Sequence, residues 1–268
     1  MAITSYIVEE HKGLGRGHTQ HGNGKGLGHL KHAQDAMADG EYTMVILGIS
    51  HVNHTPANQT SAPTVLADGS TMTTEARDGS ITIADVPNDG SDNAALRLVT
   101  DNANGRLRVN DVFSTAQQTT LGDLDDLSFD YFVASATSNQ QAPVIRLIVD
   151  ADGDLATTAD RGELVFEYVY QNDGPITAGA WHHADLTGDD WVAWQRSGGV
   201  NRDQIVNMTS FSDWSDADGY TPGGPPGALH FDADSLILGW SIALGSGNGT
   251  NDIYLDNLQV GGATYQFA

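Results

Sequence analysis

From about residue 71 onward, apolar and polar residues alternate in short segments that are separated by turns. Every second residue from Leu127 to Val133 is apolar. Because successive side chains of a strand point to opposite faces, such a segment presents one apolar face. Clusters of Gly, Asn and Asp, such as Asn104-Gly105, mark the turns. The pattern predicts strands at 80–84, 94–100, 106–110, 127–136, 144–149, 163–170, 182–185, 191–195, 236–244, 253–260 and 264–267.

Roughly ten short strands without a convincing long helix predict an all-β fold, an antiparallel β-sandwich. We assign residues 71–268 to this sandwich domain. Residues 61–70, which are polar and contain a proline, are interpreted as a linker.

Residues 1–60 have a different composition, because Gly and His dominate residues 11–32 and seven of the ten His of the chain lie before residue 61. Such a segment has too few large apolar groups to offset its own ordering entropy. We therefore expect an N-terminal Gly/His-rich assembly element, in which apolar strands at 3–8 and 42–49 add to a sheet edge. The predicted contact residues are Ile3, Tyr6, His11, His18, His21, His29, Val45 and Leu47. Transition-metal binding by the imidazoles is the alternative, although their spacing matches no zinc motif.

The content of charged residues also differs along the chain. The chain has 12 Lys and Arg against 35 Asp and Glu, for a net charge of −23, and no Lys follows Lys31. This balance argues against nucleic acid as a partner, since phosphate binding needs a basic surface, and against anionic membranes. A Lys-free, Asp-rich surface predicts a halophilic source, because molar salt screens the self-repulsion. An ordinary acidic domain is the alternative.

The chain has no cysteine, so disulfides and thiolate sites are excluded. It has no apolar run approaching the roughly 20 residues of a membrane span. The first residues lack a basic segment followed by an apolar one. We therefore expect synthesis in the host cytoplasm, with removal of a signal peptide as the alternative.

Three stretches carry a resemblance to a known family: the hairpin 146–154 with the following 163–170, the Trp-rich middle, and the Gly-rich loop that leads into 253–267. They resemble the concanavalin-A-like, jelly-roll modules of extracellular and virion-surface proteins. The resemblance covers residues 71–268 and implies a β-sandwich. Many such modules bind glycans, and others are architectural.

Two sets of carboxylates are candidate Ca²⁺ ligands. Asp150, Asp152 and Asp154 alternate along a turn with Asp160 downstream, although Arg161 stands where an EF-hand loop would need Glu. An acidic turn without metal is the alternative. Asp256 interrupts an apolar strand, and a buried carboxylate needs partners. The resemblance implies a structural Ca²⁺ there, and backbone N–H groups are the alternative.

Aromatic rings that stack on sugars suggest a glycan site formed by Trp181, Trp191, Trp194 and Asp185, whereas core positions for the Trp residues are the alternative. Catalytic motifs are missing from the sequence. Retaining glycosidases need two carboxyl groups about 5 Å apart, but Glu163 and Glu167 are four positions apart, which is roughly 13 Å along a straight strand. We therefore do not expect an enzyme.

These observations predict a virion structural protein of a halophilic archaeal virus, a capsid decoration, turret or tail-fibre component at the virion surface. Its expected partners are copies of itself, other virion proteins and host surface glycans. A secreted or cell-surface carbohydrate-binding module, which would be extracellular, is the first alternative. A glycoside hydrolase or lyase is the second.

The excess negative charge predicts that salt stabilises the protein. Between about 0.1 M and 3 M KCl the Debye length falls from about 10 Å to under 3 Å, so repulsion between surface carboxylates is screened. The melting temperature, followed by circular dichroism, should rise across this range. A flat or falling melting temperature would contradict the predicted adaptation to salt.

Overall fold

Burial alternates along the strands as the sequence pattern predicts. In the computed structural model, which describes residues 4–8, 42–48, 59–87, 94–171, 174–202, 208–223, 226–245 and 249–267, two mostly antiparallel β-sheets form a sandwich. The all-β prediction is confirmed, and the arrangement is compatible with a jelly roll.

The described strands are, in chain order, β1 (Thr4–Val8), β2 (Tyr42–Gly48), β3 (Gln59–Thr60), β4 (Thr64–Val65), β5 (Thr71–Arg77), β6 (Gly79–Asp85), β7 (Ala94–Thr100), β8 (Arg106–Val112), β9 (Thr119–Thr120), β10 (Leu127–Ala136), β11 (Val144–Asp150), β12 (Arg161–Phe166), β13 (Trp181–Asp185), β14 (Val192–Ser197), β15 (Val200–Arg202), β16 (Thr209–Ser210), β17 (Leu236–Leu244), β18 (Asn251–Val260) and β19 (Ala263–Phe267). A 3₁₀ turn covers Tyr168–Tyr170, and a one-turn helix, α1, covers Phe211–Trp214.

Sheet A has the order β1-β2-β19-β18-β10-β13, with β7 also paired to β18 and β6 paired to β7. Sheet B has the order β15-β14-β12-β11-β17-β8-β5-β3, with β16, β4 and β9 paired to β14, β5 and β17. The pairing of β2 with β19 is parallel. The inner faces of both sheets contribute to one apolar core that extends from Met44 to Phe267 in the sequence.

Two strands of the predicted assembly element belong to this sandwich. β1 pairs with β2, and β2 pairs with β19. Met44 and Ile46 are fully buried in the main core. In the predicted linker, β4 pairs with β5 and Leu66 is buried. The sheets therefore extend across the boundaries that composition suggested.

A bulge in β18 explains the broken alternation at Asp256. Asp130 of β10 pairs with Asp256, whereas Ser128 pairs with Gln259, so β18 has one extra residue between these pairs. Asn257 takes up the difference with a φ of +50°, a conformation that Asn tolerates better than most residues. The extra residue returns the later apolar side chains of β18 to the core.

Candidate functional site

The hairpin between β11 and β12 gathers the acidic residues that the sequence singled out. Asp150, the last residue of β11, pairs directly with Arg161, the first residue of β12. The Asp150 side chain is fully buried, and its Oδ2 accepts a hydrogen bond of 2.8 Å from Arg161 Nε. The ion pair therefore fixes one carboxylate at the base of the loop.

The loop then folds back over this carboxylate. One oxygen from each of Asp150, Asp152 and Asp160 lies within 4.8 Å of the others. Thr157 Oγ1 donates to Asp160 Oδ1 at 2.8 Å. Asp154 is not in this group, and its Oδ1 accepts the backbone N–H of Ala156 at 3.0 Å. Three of the four predicted ligands of the loop are thus brought together.

The cluster offers oxygen atoms that could hold a Ca²⁺ ion. Asp150 Oδ1 and Asp160 Oδ2 are buried and have no hydrogen-bond partner among the described residues. The Thr157 hydroxyl lowers the pKa of Asp160. The Asp154 N–H lowers the pKa of Asp152, but the adjacent Asp160 carboxylate raises it and the net direction is upward. Carboxylates on a loop are preferred Ca²⁺ ligands, and backbone oxygens and water would complete the shell of about six to eight oxygens.

Asp256 lies in the other sheet and has a different environment. Its Oδ1 accepts the backbone N–H of Phe267 at 3.0 Å. Burial raises the pKa of Asp256, and the N–H groups of Phe267 and Asn257 oppose that effect. Beside it, Asn257 Nδ2 donates to Asp130 Oδ2 at 2.8 Å. Backbone N–H donation was one of the two interpretations of Asp256, and the structure supplies such a donor.

The structure does not bring the three candidate Trp residues together. Trp191 is buried in the main core, where its ring centroid is 6.4 Å from that of Phe129. Trp194 is buried on the outer face of sheet B beside Val165. Trp181, on the edge strand β13, is 38% exposed. A single aromatic platform made of these three rings is therefore not present.

The edge strand nevertheless carries exposed polar groups beside Trp181. His183 Nδ1 lies 2.8 Å from Asp130 Oδ1. Asp185 Oδ1 accepts the backbone N–H groups of Thr187 and Gly188 at 3.0 and 3.2 Å. Asp185 thus caps the turn after β13.

The predicted assembly residues are only partly described. Tyr6 lies in β1, and Val45 and Leu47 lie in β2. Val45 is buried. The remaining members, Ile3, His11, His18, His21 and His29, fall outside the described residues.

No family model, curated protein or solved structure matches the chain. Among the described residues, no helix has the length and apolar character needed to cross a membrane.

A buried carboxylate in β8 escaped the sequence analysis. Asp111 is fully buried on the inner face of sheet B. Burial, together with the charge of Asp68, raises its pKa to about 7, and the nearby hydroxyls of Ser70 and Tyr265 oppose the rise. The sequence contained a signal for it, because Leu107 and Val109 alternate as inward apolar residues and Asp111 occupies the next inward position.

The loop cluster predicts a Ca²⁺-dependent rise in stability. Millimolar Ca²⁺ should raise the melting temperature, with about 2.7 kcal/mol gained at a hundredfold excess over the dissociation constant. Asp152→Asn and Asp160→Asn should abolish this response, because each removes a carboxylate ligand. Without Ca²⁺, Asp152→Asn should melt no lower than the original chain, since it relieves the repulsion from Asp160. Asp154→Asn is the matched control and should retain the response. Equal melting curves in Ca²⁺ and in chelator would contradict the site.

Asp111 predicts that stability falls as the pH rises. Its pKa is higher in the folded chain than in the unfolded one, where about 3.9 is ordinary, so its contribution is full below about pH 4 and is lost as the pH rises through about 7. Asp111→Asn cannot ionise. As the pH rises from 4 to 9, the free energy of unfolding of Asp111→Asn should therefore increase by up to about 4 kcal/mol relative to that of the original chain. Urea unfolding across this range, with exposed Asp125→Asn as control, measures the difference. A constant difference would contradict the prediction.

Proposed function

We propose that the protein is a structural protein of the virion of a halophilic archaeal virus, in which it is a surface decoration, turret or fibre component. Its partners in this proposal are copies of itself and other virion proteins. The net charge of −23 supports an environment of high salt. The all-β sandwich supports an architectural role, because such folds serve as rigid projecting modules.

The observation that carries the proposal is the place of the Gly/His-rich segment in the chain. Residues 9–41 connect β1 to β2, and these two strands pair with each other. β2 is anchored through β19 and through the buried side chains of Met44 and Ile46. A long segment held at both ends on a sheet edge is suited to contact a neighbouring molecule.

The edge itself supports the same role. Among the described strands, β1 is the outermost of sheet A on this side. Because an edge strand has unpaired N–H and C=O groups, it can accept a strand from another chain. The nearly balanced charge of the segment also means that acidic neighbours repel it less than they repel the rest of the chain. Residues 1–60 hold 4 of the 12 basic residues and only 5 of the 35 acidic ones.

Carbohydrate binding by an extracellular or virion-surface module is the second candidate. The exposed indole of Trp181 on the edge strand β13 favours it, with the His183–Asp130 pair beside it. Exposed aromatic rings with nearby polar groups suit sugar rings. Host surface glycans would be the ligands.

Glycoside hydrolysis or lyase chemistry has less support. Glu163, the carboxylate considered for it, lies 2.6 Å from Arg146 Nη1. This carboxylate is thus held in an ion pair with a guanidinium. We therefore propose a non-catalytic role.

Replacing residues 9–41 with a short Asn-Gly turn tests the assembly role. Because Val8 pairs with Thr43, the inserted Asn and Gly form a three-residue hairpin loop together with Tyr42, so β1 and β2 should stay paired. The variant should keep its melting temperature to within a few degrees and should lose self-association in light scattering and incorporation into particles.

In a second variant, Asn replaces His11, His18, His21 and His29. This variant keeps the length of the segment but removes four imidazoles, so it distinguishes contacts made by the imidazoles from contacts made by the backbone. It should assemble if the backbone makes the contacts and should fail if the imidazoles do. Unchanged stoichiometry in the variant lacking residues 9–41 would show that the contacts lie on the sandwich and would exclude the proposed role of the segment.

A further inference from the structure

Three guanidinium groups converge on one carboxylate on the outer face of sheet B. Arg146 Nη1 is 2.6 Å from Glu163 Oε2, whereas Arg196 Nη1 is 3.6 Å from the same oxygen and Arg108 Nη1 is 3.5 Å from Oε1. A charged hydrogen bond between such groups spans about 2.7–2.9 Å. Glu163 therefore lies at hydrogen-bond distance from Arg146, whereas its contacts with the other two guanidiniums are longer ion pairs.

The charges of the cluster around Glu163 do not balance. Arg108, Arg146 and Arg196 contribute three positive charges. Glu163 and Glu75, which pairs with Arg108 across β5 and β8, contribute two negative ones. The surplus is one positive charge, on a protein whose net charge is −23. Burial and the neighbouring Arg146 lower the pKa of Arg108, as expected when cations crowd together without enough counter-charge.

A cross-strand row through the same face holds further donors without acceptors. Register places Trp194, Val165, Arg146, Ser241 and Asn110 side by side on β14, β12, β11, β17 and β8. Trp194 Nε1, Arg146 Nε and Ser241 Oγ are buried and have no hydrogen-bond partner among the described residues. Ser241 is only 1% exposed. Unpartnered buried polar groups are costly, so this face requires an acceptor.

We propose that the outer face of sheet B binds one monovalent anion between Arg108, Arg146 and Arg196. Because the cluster has a surplus of one positive charge, we expect the bound anion to be monovalent. Because the buried donors have no partner, we expect it to accept hydrogen bonds. A halide or the carboxylate of a ligand has the required chemistry. Arg196 and Arg108, with 38% and 24% of their side chains exposed, form the accessible side of the site. The site is distinct from the assembly segment and from the edge strand that carries Trp181.

Chloride-35 NMR on the full chain tests the proposal. Excess chloride line width should titrate with protein, because bound chloride relaxes fast. Arg108→Gln and Arg196→Gln should weaken chloride binding about tenfold, by loss of a charged donor. Arg106→Gln, which removes an exposed guanidinium from the same strand, is the matched control and should change it less than twofold. Circular dichroism confirms that each variant is folded, and Arg196→Gln alters the most exposed of the three.

Competition distinguishes the two sources of the anion. If galacturonate displaces the chloride signal and neutral galactose does not, the site prefers a ligand carboxylate. If chloride resists displacement, the site holds a halide, and bromide-soaked crystals should show an anomalous peak between the three guanidiniums.

The proposal would be overturned if the chain caused no broadening of the chloride signal. It would also be overturned if the broadening were equal in Arg106→Gln, Arg108→Gln and Arg196→Gln. This experiment does not measure particle incorporation, so its result does not test the proposed assembly role.

Discussion

The structure depends on one constraint, the period-two pleat that lets each strand bury only one of its faces. The inner faces of both sheets share a single core, so an error of one residue would expose every later apolar side chain of a strand. Register shifts at several places in the described strands maintain this alternation, and two of them lie in β18 and β17. Asn257 adds a residue in β18, and Gly239 lies at a register shift in β17. A Cβ on Gly239 would lie 2.1 Å from the carbonyl oxygen of Asp111, so only glycine fits there.

The same constraint places the chemistry on the outer faces and at the ends of the sheets. Arg146 and Glu163 lie outward because their neighbours Leu147 and Leu164 lie inward. Asp111 is the exception, since it occupies an inward position among apolar residues. Its burial is the reason that it holds a proton near neutral pH. We therefore expect this core carboxylate to make stability depend on pH, and the surface carboxylates to make it depend on salt.

The sequence predicted strands well where alternation was strong and apolar residues were large. The bounds predicted at 94–100, 127–136 and 236–244 are those observed. It missed β5, whose inward face is Met72, Thr74 and Ala76, because a buried Thr is not an apolar signal. The acidic loop was found because its ligands are close in sequence. The arginine cluster was missed because its members come from strands far apart in sequence, which only the sheet register brings together.

The use of arginine in place of lysine after residue 60 follows from these contacts. Arg97 binds Asp252 through both Nε and Nη2, at 2.9 and 2.7 Å. Arg161 binds Asp150 through Nε and the Leu155 carbonyl through Nη2. A lysine ammonium cannot reproduce this fork. Because partly buried pairs are screened less than exposed ones, such arginines keep their contacts in the molar salt that we propose, while exposed aspartates lose their mutual repulsion. Arginine therefore makes specific contacts, whereas exposed aspartate keeps the surface hydrated.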